Sequence, residues 1–139
     1  MRNSTRMLIA VVLGCSTPAA ALAGPLEDAQ AAYDRGDFAE TIRILHGAAA
    51  QGDSDAQYLL GSMYCFGKGV TQDYAEGLRW LRLSAGHGNG EAEFALGTSY
   101  ETGKGVAVDN AEALRWYRLA AGHGVKDAAD AVARLTNGN

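Results

Sequence analysis

Residues 55–90 read DAQYLLGSMYCFGKGVTQDYAEGLRWLRLSAGHGNG, and residues 91–126 read EAEFALGTSYETGKGVAVDNAEALRWYRLAAGHGVK. Set one above the other without a gap, they agree at 20 of 36 positions. A chain that repeats itself at a fixed period of this length is built from stacked supersecondary units, each too small to bury its own apolar face. The repeat extends in both directions. Asp37-x-Ala39-Glu40 stands 36 residues before Asp73-x-Ala75-Glu76, and Asp127-Ala128 begins a further copy that stops after one helix. The expected units are residues 26–54, with a shorter loop, then 55–90 and 91–126, closed by a capping helix over 127–136.

Each unit reads as helix–loop–helix. Ala56, Leu60 and Tyr64 recur every fourth residue, which places them on one helical face. Gly67-x-Gly69 ends that helix, because glycine adopts backbone conformations that a Cβ disfavours. Asp73 then N-caps the second helix, with Glu76 completing a capping box, and Asp109/Glu112 and Asp37/Glu40 repeat the pattern. On the second helix Leu78, Leu81 and Ala85 share a face while Trp80 and Leu83 point the other way. Apolar residues on both sides predict burial on both sides. Gly61 and Gly97 fall inside first helices, where glycine lowers helix propensity by about 1 kcal/mol, so close helix packing is expected there.

Ala56-x-Tyr58-x-Leu60-Gly61-x-x-Tyr64, then Gly67-Lys68-Gly69-Val70, then Asp73-Tyr74-Ala75-Glu76, then Trp80-x-Arg82-x-Ser84-Ala85, at this period, resembles the Sel-one-like repeats, relatives of the tetratricopeptide repeats. The resemblance covers about residues 26–136. It implies an all-α, right-handed α/α superhelical solenoid with a concave groove. It also implies an adaptor that binds a protein or peptide partner, often in the bacterial envelope or outside the cell. Some cysteine-rich members are described as penicillin-binding or β-lactamase-like and carry a cysteine pair in each repeat. This sequence departs from them: Glu101 stands where Cys65 would recur. A cell-wall or β-lactam hydrolase is the alternative to a binding module, and this departure counts against it.

The rest of the sequence narrows the chemistry. Glycine supplies 18 of 139 residues against a usual share of about 7%, while the chain has only two prolines and is 47% hydrophobic. That excludes collagen-like and disordered classes. A net charge of −4 leaves no basic footprint for nucleic acid. Arg2 and Arg6, the apolar run Met7–Val12 and Ala21-Leu22-Ala23 form the pattern of a secretory signal peptide with cleavage after Ala23, not a membrane span. The mature domain is then residues 24–139, periplasmic or secreted. In a rival reading, Val12-Leu13-Gly14-Cys15 is a lipobox that would anchor a lipoprotein at Cys15.

Positions identical between units build the fold, so binding chemistry is sought where they differ. Leu59, Met63 and Phe66 share a shoulder of one first helix, and their counterparts are Ala95, Ser99 and Thr102. The strip either packs on the first unit or receives a partner segment. With Thr102, Tyr74 and Tyr117 it makes up the candidate partner-binding set. Tyr74 and Tyr117 stand where Asn110 and Leu81 occur in the aligned units, and either serves as surface anchor or half-buried packing. Glu91, Glu93 and Glu101 read as a solvated face, and His87 and His123 as side chains at helix C-termini. No residue set has catalytic or metal-ligand spacing, so no cofactor or metal is expected. Gly67-Lys68-Gly69 lacks the spacing of a phosphate loop. The alanine-rich face of Asp127–Leu135, with no unit after it, is a candidate for self-association.

Overall fold

The computed structural model describes residues 24–138, and within them every regular element is an α-helix. In order these are α1 (Pro25–Asp34), α2 (Phe38–Ala50), α3 (Ser54–Phe66), α4 (Tyr74–Gly86), α5 (Gly90–Thr102), α6 (Asn110–Gly122) and α7 (Lys126–Asn137). Each packs chiefly against its neighbour in sequence. The result is an all-α solenoid of three hairpins, α1–α2, α3–α4 and α5–α6, closed by α7.

The aspartate caps form as expected. Asp37, Asp73 and Asp109 accept hydrogen bonds from the backbone N–H of Glu40, Glu76 and Glu112, at 3.1, 3.0 and 3.0 Å. The reciprocal half of the capping box does not form. The Asp73 N–H already donates to the Tyr64 carbonyl at 2.9 Å, and Asp109 repeats this with Tyr100. The glutamates turn forward instead. Glu76 accepts from Arg79 and, at 2.9 Å, from the Trp80 indole N–H, while the Arg79 guanidinium lies over the indole ring, 4.5 Å from its centroid. The Arg79 hydrogen bond holds the Glu76 carboxyl below the usual carboxylate range. The first helices have caps of their own, Asp53 and Asn89, which accept from the N–H of Ala56 and Ala92.

The core runs through the stack. One cluster joins Ala29, Leu45, Leu60, Met63 and Trp80, a second Leu78, Leu81, Ala92 and Leu96, a third Ala113, Tyr117, Ala120, Ala128 and Ala131. Trp80 is buried as predicted, but Leu83 is 42% exposed, so α4 buries one broad face instead of two sides. Ala128 and Ala131 of α7 are buried within the chain, in the cluster they share with α6. The side of α7 left outward carries Ala129, Asp130 and Ala133, a mixed surface in place of the uncovered apolar face the sequence suggested.

The interior glycines sit at close approaches. A Cβ on Gly61 would stand 2.8 Å from the Gly77 carbonyl oxygen, and one on Gly97 would stand 2.6 Å from the Tyr117 ring. Gly103-Lys104-Gly105 folds back on the preceding unit. Gly105 has φ +76°, and a Cβ there would stand 2.6 Å from the Tyr74 Cβ. Gly69 lies in the same way against Phe38. Gly122, by contrast, has open space around it. Gly97→Ala is therefore expected to destabilise the fold by about 1–3 kcal/mol through overpacking. Gly122→Ala should leave stability unchanged or raise it by up to about 1 kcal/mol. Urea unfolding followed by tryptophan fluorescence measures both; equal effects would contradict the packing described here.

Candidate functional site

Between α1 and α3, with α2 as its floor, runs an open cleft of about 320 Å³. Ala29, Gln30 and Tyr33 of α1 form one wall. Leu59, Ser62, Met63 and Phe66 of α3 form the other, over Thr41 and Leu45. Phe66 is 75% exposed and Leu59 38%. Met63 is only 6% exposed and belongs to the core cluster that includes Trp80. The predicted strip thus divides: Met63 packs as interior, while Leu59 and Phe66 open into the cleft. Tyr33 braces the far wall, its ring edge-on to Phe38 at 5.2 Å.

The polar side chains in the cleft are satisfied locally, each four residues away along the chain. Thr41 donates to the Asp37 carbonyl at 2.9 Å, Ser62 to the Tyr58 carbonyl at 2.9 Å, and the Gln30 amide to Asp34 at 2.7 Å. Lys68 sits at the rim, 5.5 Å from the Phe38 ring centroid. An apolar trough whose polar groups are already paired suits a bulky apolar side chain.

The corresponding groove between α5 and α7 is built differently. Its floor is Tyr117, and its lining includes Glu101 and Arg134. Glu101 accepts from the Tyr117 hydroxyl at 2.7 Å and from Arg134 of α7 through both guanidinium nitrogens. The Arg134 hydrogen bond, joined by that of Tyr117, lowers the Glu101 carboxyl from its ordinary value. This network ties α5 to α7 across the groove. Through the matching Asp37, Asp73 and Asp109 hydrogen bonds, Tyr33 stands at the Glu101 register and Ser62 at that of Arg134. No bridge spans the first cleft.

The remaining candidates lie apart from it. Thr102 is exposed at the end of α5, its hydroxyl donating to the Thr98 carbonyl. Tyr74 is half-buried beneath Gly105 and hydrogen-bonds Gln72. Tyr117 is 1% exposed, packed on Gly97, and presents no anchor at the surface. The acidic face is also corrected. Glu91 is exposed, but Glu93 is 2% exposed with an oxygen 2.8 Å from His123 Nδ1, and Glu101 is committed to Tyr117 and Arg134. His87 sits against the Leu83 carbonyl at the end of α4, as expected of a C-terminal histidine, whereas His123 turns to Glu93. Cys65 is half-buried beside Gly77; burial, reinforced by Asp73, pushes its thiol up, away from the thiolate a nucleophile needs. Among the described residues no three His, Cys, Asp or Glu side chains gather to hold a metal ion, and no helix is long and apolar enough to cross a membrane.

A helical-hairpin solenoid carrying an open groove is the architecture of a repeat scaffold. A family model of the Sel1 repeat matches residues 54–89 and 90–125, and the chain belongs to the Sel1 repeat family, whose members are generally protein–protein interaction scaffolds. Three solved structures are similar. The protective antigen c5321 of uropathogenic Escherichia coli strains, which displays an SLR fold, is 36% identical with a TM-score of 0.64, over 66% of this chain and 20% of that one. A Sel1 repeat protein from Oxalobacter formigenes is 38% identical with a TM-score of 0.65, over 66% and 27%. Cysteine-rich protein B of Helicobacter pylori, at 23% identity and a TM-score of 0.63 over 66% and 68%, shares the fold. The chain thus spans well under two thirds of the length of the first two. No curated protein matches it.

Tyr117 supplies a pH signature of the closed groove. Burial, aided by Glu101, pushes its hydroxyl from 10.0 up to about 12. A phenol whose folded value is raised stabilises the fold fully below its unfolded value, and that contribution is lost as pH rises from about 10 to 12. Urea unfolding across this range should show stability falling more steeply in the natural protein than in Tyr117→Phe. Parallel curves would contradict this assignment.

Proposed function

We propose that the chain is a non-enzymatic binding module whose α1–α3 cleft takes an apolar side chain from a protein or peptide partner. The observation that carries this reading is the exposure of Phe66 and Leu59 around an open apolar trough. An exposed phenylalanine contributes little to folding and much to desolvation when a partner covers it. The raised Cys65 thiol and the half-buried setting of that residue support a binding role over thiol catalysis.

We also propose export. The signal-like segment falls in residues 1–23, outside the described residues, and the reading rests on its basic start, its apolar run and Ala21-Leu22-Ala23. The site of action is then the periplasm or the exterior of a bacterium.

Selection of peptides from a displayed library with the purified protein tests the cleft. Leu59→Ser with Phe66→Ser should weaken the selected peptide by about tenfold or more, equivalent to about 1.4 kcal/mol, while thermal unfolding stays nearly unchanged. Undiminished binding would move the site elsewhere, and loss of folding would return the strip to the core. For export, the protein recovered from the periplasm of a bacterial host should begin at Gly24. Retention at the membrane through lipidated Cys15 would overturn that reading.

A further inference from the structure

The two layers of the solenoid differ in charge. The first helices of the units, α1, α3 and α5, with α7, hold nine carboxylates against two cations, Lys126 and Arg134. The second helices, α2, α4 and α6, hold three carboxylates against five arginines, and their capping Asp37, Asp73 and Asp109 bring that layer close to balance. Within the second helices each glutamate is paired with an arginine three residues on: Glu40 with Arg43, Glu76 with Arg79, Glu112 with Arg115. Arg82 and Arg118 are left over. In the groove-bearing layer only Glu93 and Glu101 are matched, by His123 and Arg134.

Three of the unmatched acids, Glu27, Asp34 and Asp55, lie on the two helices that wall the cleft. Asp55 stands one helical turn before Leu59 on α3, one of its oxygens accepting from the Asn89 side-chain amide at 2.9 Å, and Glu27 one turn before Gln30 on α1. Asp34 is joined to the cleft wall by the Gln30 hydrogen bond. Glu91 and Asp127 continue the Asp55 position along α5 and α7 at the 36-residue period. Among the described residues Lys68 is the one charged residue lining the cleft, and its ammonium lies over the Phe38 ring. The face that carries the apolar trough is thus strongly negative, and its field favours a cationic partner and repels an acidic one.

Resting on the cleft reading above, we infer that the occupant is a cationic amphipathic segment of a protein partner. It seats a bulky apolar side chain between Tyr33, Leu59 and Phe66 and lays lysine or arginine against Glu27, Asp34 and Asp55. The apolar trough supplies the anchor, and the surrounding carboxylates select the sign of the ligand.

Fluorescence anisotropy with three labelled peptides tests it: an amphipathic leucine–lysine helix, its leucine–glutamate counterpart, and a serine–lysine peptide of equal charge. The leucine–lysine peptide should bind tightest, and more weakly as salt rises. Leu59→Ser with Phe66→Ser should weaken it by about tenfold. Asp34→Asn with Asp55→Asn should weaken it severalfold and flatten the salt dependence. Equal or tighter binding of the leucine–glutamate peptide, lost on the serine substitutions, would overturn the charge assignment while leaving the cleft as a site. Leucine–lysine binding that ignores the serine substitutions would show nonspecific attraction and overturn the inference. So would absence of binding by all three, or sedimentation of the protein alone as a dimer that those substitutions dissociate.

Discussion

The array depends on how closely the two helices of a unit approach at Gly61 and Gly97. At Gly61 the partner surface is the backbone of Gly77, and the approach is reciprocal: a Cβ on either glycine would stand 2.8 Å from the carbonyl oxygen of the other. At Gly97 the partner is the face of Tyr117. Glycine inside a helix sacrifices about 1 kcal/mol of propensity. Burial of Leu60, Leu78, Leu81 and Leu96 around these crossings offsets it, at about 1.5–3 kcal/mol for each side chain removed from water. A hairpin this tight puts all first helices in one layer and all second helices in the other. Gly69 and Gly105 then seat each Gly-Lys-Gly loop on the unit before, so that one hairpin fixes the position of the next.

The two ends of the stack escape this regularity in different ways. The first unit turns through Arg35–Asp37 where the others use Gly67–Asp73 and Gly103–Asp109. Its first helix carries Ala32 at the register of Tyr100, and its second helix carries Leu45 where α6 carries Tyr117. Smaller side chains leave a trough. At the other end, Tyr117 fills the floor, and Glu101 and Arg134 join α5 to α7 above it. Similar backbones thus make one open groove and one braced groove.

Much of this was legible in the sequence because repetition marks structure. The period located the hairpins, the recurring aspartates located the helix starts, and Gly61 and Gly97 announced close packing. The failures have separate causes. Glu93, Glu101 and Tyr117 differ from their counterparts Gln57, Cys65 and Leu81, so alignment gives no hint that they are interior partners, and an acid on a helix reads as solvated by default. The capping box failed for another reason: the Asp73 N–H had a backbone acceptor in Tyr64, which local sequence spacing does not reveal. Tyr33 went unnoticed because the short first loop moves α1 from a 36-residue register to one of 32, set by the Ala32 and Tyr64 carbonyls. Aligning α1 across that loop exposes the missing wall of the cleft.

The units also separate what the fold requires from what it tolerates. At the register of Phe66 the next unit has Thr102, exposed at the same end of the same kind of helix, and its helix ends in the same left-handed glycine. At the register of Leu59 it has Ala95. The fold therefore holds with threonine and alanine at these positions. A phenylalanine left largely in water gains little folding free energy while adding to the exposed apolar surface that favours association. The bulk of Phe66 and Leu59 is thus not explained by the stability of the array. A segment of another chain covering the cleft, as proposed, accounts for it.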